Sequence, residues 1–191
     1  MRYEINISYK CDLRCPYCAM LSRLNSRLEE QEVLELLKQV EDGSEVTLSG
    51  GEPGLCKKEF IFSIFRILLD KKVKINVNTN GMFIRRYKHL LKFLNIVNFH
   101  TEITTFKKLP FKNINYVIIL TKNNSSKLEP FLKEIYNKFR IKFDIIPCTN
   151  FLGSKTDYTS NINVLKFSKF MTEKSIKYFL KNDRYMVTYL N

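Results

Sequence analysis

The sequence predicts an α/β fold, an open parallel sheet with helices outside it that forms a partial, TIM-like (β/α)6 barrel. Segments of strand and helix periodicity alternate along the chain, and this order favours parallel strands joined by right-handed crossovers. At most six strand–helix repeats fit between residues 1 and 147. A closed eight-unit barrel takes ~250 residues, so a chain of 191 residues suits an incomplete barrel.

The first half of the chain contains three predicted strand–helix repeats. The strands are expected around Tyr3, Ile5 and Ile7, from Glu45 to Ser49 and from Lys74 to Asn80. A capping-box pattern, Ser26 to Glu29, is expected to open the first helix. The apolar stripes of the three helices are Val33, Leu36, Leu37 and Val40, then Ile61, Ile64, Phe65 and Leu68, then Ile84, Tyr87, Leu91 and Leu94.

The second half is expected to lack one helix. Thr104 to Asn113 is polar, contains Pro110 and has no helical periodicity. A later helix is expected to carry Pro130 in its first turn, with a stripe of Leu128, Phe131, Leu132 and Ile135. The remaining strands are predicted from Ile96 to Glu102, Tyr116 to Leu120 and Ile141 to Pro147.

Length and composition favour one domain, with a core over 1–147 and an extension over 148–191 that packs on it as loop, helix and short strand. Hydrophobic residues make up 45% of the chain, which excludes a disordered protein. No apolar run approaches the ~18 residues of a membrane span. We see no targeting segment and expect a cytoplasmic protein without membrane contact.

Three cysteines, Cys11, Cys15 and Cys18, stand in the loop that leaves the first strand. Three thiolates can hold three irons of a cubane cluster, whose fourth iron then has no protein ligand. Structural zinc fits less well because it takes four ligands, usually in two close pairs. A disulfide framework is disfavoured in a lysine-rich chain expected in a reducing compartment. The other candidate ligands are scattered singly: Cys56, His89, His100 and Cys148.

These cysteines, with the aromatic Tyr17, resemble the CxxxCxΦC signature of the radical S-adenosylmethionine (radical SAM) superfamily. Ser49 to Pro53 is similar to the GGEP motif of that family, and Asn78 to Gly81 is similar to its TNG motif. The resemblance covers residues 1 to about 147 and implies one 4Fe-4S cluster held by the three cysteines. It also implies that S-adenosylmethionine binds the open iron and is cleaved to a 5′-deoxyadenosyl radical.

That radical would abstract hydrogen from a peptide or a small-metabolite substrate. Glycyl-radical activases and deazapurine-type synthases of the same superfamily are alternatives. The residues after Cys18, Ala19 and Met20, lack the patterns of both branches. A different class of alternative is a non-catalytic iron–sulfur binding module, which an intact GGEP motif disfavours.

Polar residues alternate with apolar ones on the predicted third and fourth strands, which indicates one face under helices and one polar face. We interpret the polar face as a wet interior for cofactor and substrate; a solvent-facing open sheet is the alternative. The polar residues are Asn76, Asn78 and Asn80, then Asn98, His100 and Glu102.

Roles for individual residues follow from chemistry and from the resemblance. Backbone carbonyls of Gly50 and Gly51, with the Glu52 carboxylate, can receive an ammonium group. Tyr17 is expected beside the adenine, as in relatives. Asn78, Thr79 and Asn80 are candidate ribose or substrate contacts, or ordinary turn residues. His100 and Glu102 are candidate acid/base or anchoring groups, or structural ones. Cys148 is a candidate hydrogen-atom donor, or a small buried hydrophobe.

The net charge of +13 favours anionic partners. An acidic electron donor such as a flavodoxin fits that charge. The basic residues are nevertheless spread along the chain, which is typical of a solvated surface. No nucleic-acid-binding module is recognisable, so nucleic acid is not the expected partner.

Overall fold

The structure is a computed structural model that describes residues 1–15, 18, 20, 23–24, 26–141, 143–147, 180–182 and 185–187. The chain divides into two compact units. Unit 1 comprises Met1–Arg14, Met20–Phe99 and Phe111–Ile114. Unit 2 comprises Cys15–Ala19, His100–Pro110 and Asn115–Asn191.

A parallel sheet forms the centre of unit 1. Its strands are β1 (Arg2–Ser8), β2 (Glu45–Gly50), β3 (Lys74–Thr79) and β4 (Leu94–His100), in that spatial order. The apolar positions of the four strands are in register and form a buried row of Ile5, Leu48, Val77 and Val97. Because strand side chains alternate between faces, this row leaves the polar residues on the opposite face, as predicted.

Helices α1 (Glu30–Lys38) and α2 (Lys58–Asp70) supply apolar faces to unit 1. The predicted stripe of α2 is confirmed, with Ile61, Ile64, Phe65 and Leu68 all buried.

The predicted start of α1 was wrong. The backbone is still extended at Glu29, which is the N-cap and makes no side-chain capping bond. The Ser26-to-Glu29 spacing therefore lies before the helix and cannot form a capping box. Leu36 was also assigned wrongly to the buried stripe, since it is 50% exposed while its neighbour Leu37 is buried.

The segment after β3 is two short elements instead of one helix. Helix α3 (Met82–Arg86) ends at Tyr87, and a 3-10 turn (Lys88–Phe93) leads into β4. A 3-10 turn rises ~2.0 Å per residue against ~1.5 Å for an α-helix, so it covers more distance with the same number of residues. The predicted apolar residues remain buried despite the break: Ile84, Tyr87, Leu91 and Leu94.

In unit 2, β5 (Ile114–Leu120, whose first residue belongs to unit 1) pairs in parallel with β6 (Phe143–Pro147). Strand β7 (Leu180–Asn182) pairs with β6, and β8 (Tyr185–Val187) pairs antiparallel with β7. Four aromatic rings, Phe106, Tyr116, Phe131 and Phe143, pack with centroids 5.2–5.8 Å apart and form a core. The expected loss of one helix is confirmed, because a 3-10 turn (Ile103–Thr105) stands in its place.

Helix α4 (Lys122–Phe139) begins earlier than predicted, so the placement of Pro130 in its first turn was wrong. Thr121 and Asn124 form a capping box at its start. The sequence pattern did not reveal this capping box, because Asn124 occupies the position where the usual pattern has Glu or Gln. Pro130 consequently lies inside the helix, where its missing N–H costs one backbone hydrogen bond.

Candidate cofactor site

The three motif cysteines are reduced and half-buried in the structure. In unit 1 the Leu13 backbone N–H donates to Cys11 Sγ at 3.4 Å. In unit 2 the Cys18 N–H donates to the Cys15 carbonyl oxygen at 3.0 Å. The described residues contain no group of three His, Cys, Asp or Glu side chains placed to hold a metal ion. Ligation by the three cysteines therefore stays a prediction.

Gly50 and Gly51 lie against the backbone that leads into the cysteine loop. The Gly51 N–H donates to the Ser8 carbonyl oxygen at 2.5 Å, and the Glu52 N–H donates to the Lys10 carbonyl oxygen at 2.7 Å. A Cβ on Gly50 would clash with the Ser8 carbonyl oxygen, and one on Gly51 with that of Lys10. Close approach of two chain segments thus requires glycine at both positions, whatever ligand binds there.

Glu52 is buried, with 1% of its surface exposed, and its carboxylate accepts hydrogen bonds from within unit 1. Oε1 accepts from the Gly54 and Phe83 N–H groups at 2.7 and 3.0 Å. Thr79 Oγ1 lies 2.8 Å from Oε1, and the Asn80 N–H donates to Oε2 at 2.7 Å. Burial raises the pKa of the Glu52 carboxyl, and these hydrogen bonds oppose the rise. Glu52 therefore connects the GGEP turn to the TNG turn through hydrogen bonds.

The hydrogen bonds continue from the TNG turn to the cysteine loop. Asn80 Nδ2 donates to Asp12 Oδ1 at 2.7 Å, and Asp12 is the residue after Cys11. Asn80 Oδ1 accepts from the Met82 N–H at 3.2 Å. Asp12 was not predicted as a site residue because it occupies a variable position of the motif and meets Asn80 only through the fold.

Asn78 belongs to a row of polar side chains on the sheet, which we call the amide row: Glu4, Ser49, Asn78 and Asn98. Asn98 Nδ2 donates to Asn78 Oδ1 at 2.8 Å. Asn78 Nδ2 in turn lies 3.2 Å from Ser49 Oγ and 3.4 Å from Glu4 Oε1. The structure thus adds Glu4 and Ser49 to the polar face. Strand alternation on β1 and β2 was the signal that could have found them.

Two further predicted site residues, His100 and Glu102, belong to unit 2. His100 is half-buried at the end of β4 and belongs to unit 2. The strand was predicted to reach Glu102, which was wrong, because it ends at His100 and Glu102 is the exposed N-cap of a 3-10 turn. Strand alternation therefore does not fix the direction of Glu102. Tyr17 and Cys148 lie outside the described residues.

Cys56 lies in the buried core of unit 1. Its thiol is buried and donates to the Ile7 carbonyl oxygen at 3.6 Å. Burial raises the pKa of this thiol to about 11. Because the thiolate is the form that binds metal, Cys56 is a poor ligand at neutral pH.

The family model described as "Radical SAM superfamily" matches residues 5–139. The chain belongs to the radical SAM superfamily. That match includes all three motif cysteines, the GGEP turn and the TNG turn. Members of this superfamily use S-adenosylmethionine and an iron–sulfur cluster.

Relatives with different names resemble this radical SAM chain. A candidate glycyl-radical enzyme activating enzyme of Methanocaldococcus jannaschii is 25% identical over 163 residues, covering 81% of this chain and 60% of the relative. GTP 3′,8-cyclase of Helicobacter pylori strain 26695 is 25% identical over 190 residues, covering 93% and 58%. The chain spans about three fifths of the length of both relatives, and the two names do not single out one activity.

A solved structure, "Native anSMEcpe with bound AdoMet and Kp18Cys peptide", resembles this chain with a TM-score of 0.70 at 20% identity. The likeness covers 91% of this chain and 60% of that one. This likeness shows the fold, an α/β fold with an open parallel sheet and helices outside it. The predicted partial barrel is thereby confirmed. In the part of the chain that the structure describes, no helix is long and apolar enough to span a membrane.

Proposed function

We propose that this radical SAM enzyme uses one 4Fe-4S cluster and S-adenosylmethionine to abstract a hydrogen atom from a peptide or small-molecule substrate. The observation that carries the proposal is the run of hydrogen bonds from Glu52 through Asn80 to Asp12. It connects the GGEP turn, the TNG turn and the loop of Cys11 within unit 1. Three motifs that lie apart in sequence are thereby joined as one site would require.

The chemistry of the donor set fits an iron–sulfur cluster. Cys11, Cys15 and Cys18 form no disulfide, are partly accessible, and are the thiol ligands that such clusters take. They would hold the cluster, and the buried Cys56 would not. When bound, the reduced cluster and S-adenosylmethionine supply one-electron cleavage to a 5′-deoxyadenosyl radical.

The residues of the GGEP turn would seat the methionine end of S-adenosylmethionine. The Glu52 carboxylate is occupied by donors of the two turns, so its share is to hold their backbone in place. The ammonium group would then be received by the backbone carbonyls beside it, at Gly50 and Gly51. Asn78, Thr79 and Asn80 are proposed contacts for ribose or substrate, and Tyr17 for adenine.

Three further residues have proposed roles in the reaction. His100 and Glu102 are proposed to move a proton or anchor the substrate. Cys148 is proposed to return a hydrogen atom to the substrate radical, and Cys148→Ala tests this directly. An unchanged rate of product formation in that variant would remove Cys148 from the mechanism.

An acidic protein such as a flavodoxin is the proposed electron donor, supported by the net charge of +13. A nucleotide substrate is the second candidate, favoured by the GTP 3′,8-cyclase relative that covers 93% of this chain. A module that holds a cluster without catalysis would bind no S-adenosylmethionine, which separates it from both.

The test is anaerobic reconstitution with iron and sulfide, followed by measurement of iron content and of 5′-deoxyadenosine released from S-adenosylmethionine. We expect about four irons per chain, and loss of both signals in Cys11→Ala, Cys15→Ala and Cys18→Ala. Cys56→Ala, which also removes one thiol, is the matched control and should keep its iron. Full iron loading in Cys15→Ala together with 5′-deoxyadenosine formation would contradict the proposal.

A further inference from the structure

The amide row (Glu4, Ser49, Asn78 and Asn98) is polar, partly exposed and connected by hydrogen bonds along its length. Its amide groups donate in one direction. Asn98 donates to Asn78, and Asn78 donates to Glu4 and Ser49. Accepting from Asn98 polarises the Asn78 amide and strengthens its N–H donors, and the row ends on the Glu4 carboxylate.

Glu4 differs from the second carboxylate of the same sheet. Glu45 lies 3.2 Å from the Arg2 guanidinium and also accepts from Asn76 at 2.7 Å. Among the described residues, no lysine or arginine pairs with Glu4, and its side chain is exposed. Glu4 is therefore a carboxylate that has one amide contact at 3.4 Å and is accessible to a ligand.

The charge of the amide row opposes that of the whole chain. The chain carries a net charge of +13, whereas the row contains one carboxylate and no basic residue. A triphosphate or an acidic peptide would meet repulsion at Glu4, and a cation would meet attraction. Side-chain amides offer both a donor and an acceptor, which is also what a peptide group offers.

We propose that the amide row recognises a peptide substrate through a lysine or arginine side chain that pairs with Glu4. The inference rests on the proposed function and makes it more specific, because it selects the peptide over the nucleotide. Glu4 is then a specificity residue: it binds the substrate and takes no part in forming the radical.

The experiment uses the reconstituted full chain with S-adenosylmethionine and two dye-labelled pools of short peptides. The pools are randomised except at the central residue, which is lysine in one pool and glutamate in the other. Fluorescence anisotropy gives the affinity for each pool, and unlabelled GTP serves as the competing nucleotide. We expect the lysine pool to bind about tenfold more tightly than the glutamate pool. The field of a +13 chain favours the opposite order, so a lysine preference cannot come from net charge.

Three variants separate recognition from folding. Glu4→Gln should reduce the lysine preference to about threefold or less, and Glu4→Lys should reverse it. Glu32→Gln makes the same change of charge on the exposed side of α1 and should keep the tenfold preference. A carboxylate that only supports Asn78 would change stability and leave the ratio of the two affinities unchanged.

Two results would overturn the inference: tighter binding of the glutamate pool or of GTP, or an unchanged lysine preference in Glu4→Gln. Both are distinct from failure of the proposed function. If the reconstituted chain releases no 5′-deoxyadenosine with any probe, the proposed hydrogen abstraction fails first. If it does release 5′-deoxyadenosine and shows no dependence on Glu4, only the inference about the amide row fails.

Discussion

Two glutamates of unit 1 accept hydrogen bonds from the β3 region in opposite surroundings. Glu52 is buried, and its two oxygens receive three backbone N–H groups and one hydroxyl. Glu4 is exposed and accepts from a single amide, that of Asn78. A carboxylate whose partners all come from the chain holds structure, and one that is accessible can hold a ligand. The difference between them can be measured.

Removing each carboxylate should give the largest contrast. Glu52→Ala leaves the Gly54, Asn80 and Phe83 N–H groups without their acceptor, at a cost of about 3 kcal/mol or more in the free energy of unfolding. Glu4→Ala should cost less than about 0.5 kcal/mol, because water replaces the carboxylate. Denaturant unfolding of the two variants, side by side, gives both values. Equal destabilisation would show that burial does not separate their roles.

Gly50, close to Glu52 in the GGEP turn, provides the next largest effect. Gly50 and Gly43 both have positive φ, +112° and +70°, but only Gly50 has a neighbouring carbonyl where a Cβ would lie. Gly43→Ala should cost about 1 kcal/mol from backbone strain alone. Gly50→Ala should cost about 2 kcal/mol more, since the Ser8 backbone must also move. The comparison of their unfolding free energies isolates the close approach of β1 and β2.

The alternation of apolar residues located all four strands of unit 1 because one face of the sheet is buried, although β4 begins and ends two residues earlier than predicted. Helix boundaries were predicted less accurately than strands. Ser26 has the right partner spacing for a capping box but lies in extended chain, and the box that forms uses Thr121 and Asn124. Local patterns of this kind are decided by where tertiary packing lets a helix begin.

A smaller effect is expected for the bond that connects the TNG turn to the cysteine loop. Asp12→Ala and Asn80→Ala each remove one side of the 2.7 Å contact. Neither removes the Asn80 N–H that Glu52 accepts, so the buried hydrogen bonds of Glu52 stay intact. A double-mutant cycle on the unfolding free energy should give a coupling of about 0.5–1 kcal/mol. A coupling near zero would mean that the two motifs are not energetically joined.

The pH dependence of Glu52 should be the smallest effect. Burial raises the pKa of its carboxyl above the ordinary value of 4.5. The folded state therefore binds this proton more tightly than the unfolded chain does. The resulting stability is complete below the unfolded pKa and is lost as the pH rises through the folded pKa. The unfolding free energy of the native chain relative to Glu52→Gln should fall between pH 4.5 and neutrality; an increase over that range would contradict it.

The residues of the candidate site that belong to short sequence motifs could be predicted from the sequence. The residues that join the site only through contacts between distant segments could not. The cysteine motif, the GGEP motif and the TNG motif, in that order, indicate the family from sequence alone. Asp12 belongs to no such motif, and strand alternation could have placed Glu4 on the polar face but could not show its contact. Their partners Asn80 and Asn78 lie 68 and 74 residues away. The sequence also suggested that the Glu52 carboxylate faces a ligand, whereas the structure places it among donors of the chain.

The proposed function depends above all on one iron of the cluster being left open to S-adenosylmethionine by the cysteine motif. Electron paramagnetic resonance of the anaerobically reconstituted, dithionite-reduced chain tests this most directly, with spectra recorded before and after S-adenosylmethionine is added. Cys15→Ala, which lacks one of the three thiol ligands, is the control and should give no 4Fe-4S signal. For the native chain we expect a reduced 4Fe-4S signal whose g-values change when S-adenosylmethionine is added. Identical spectra of the native chain with and without S-adenosylmethionine would contradict the open iron.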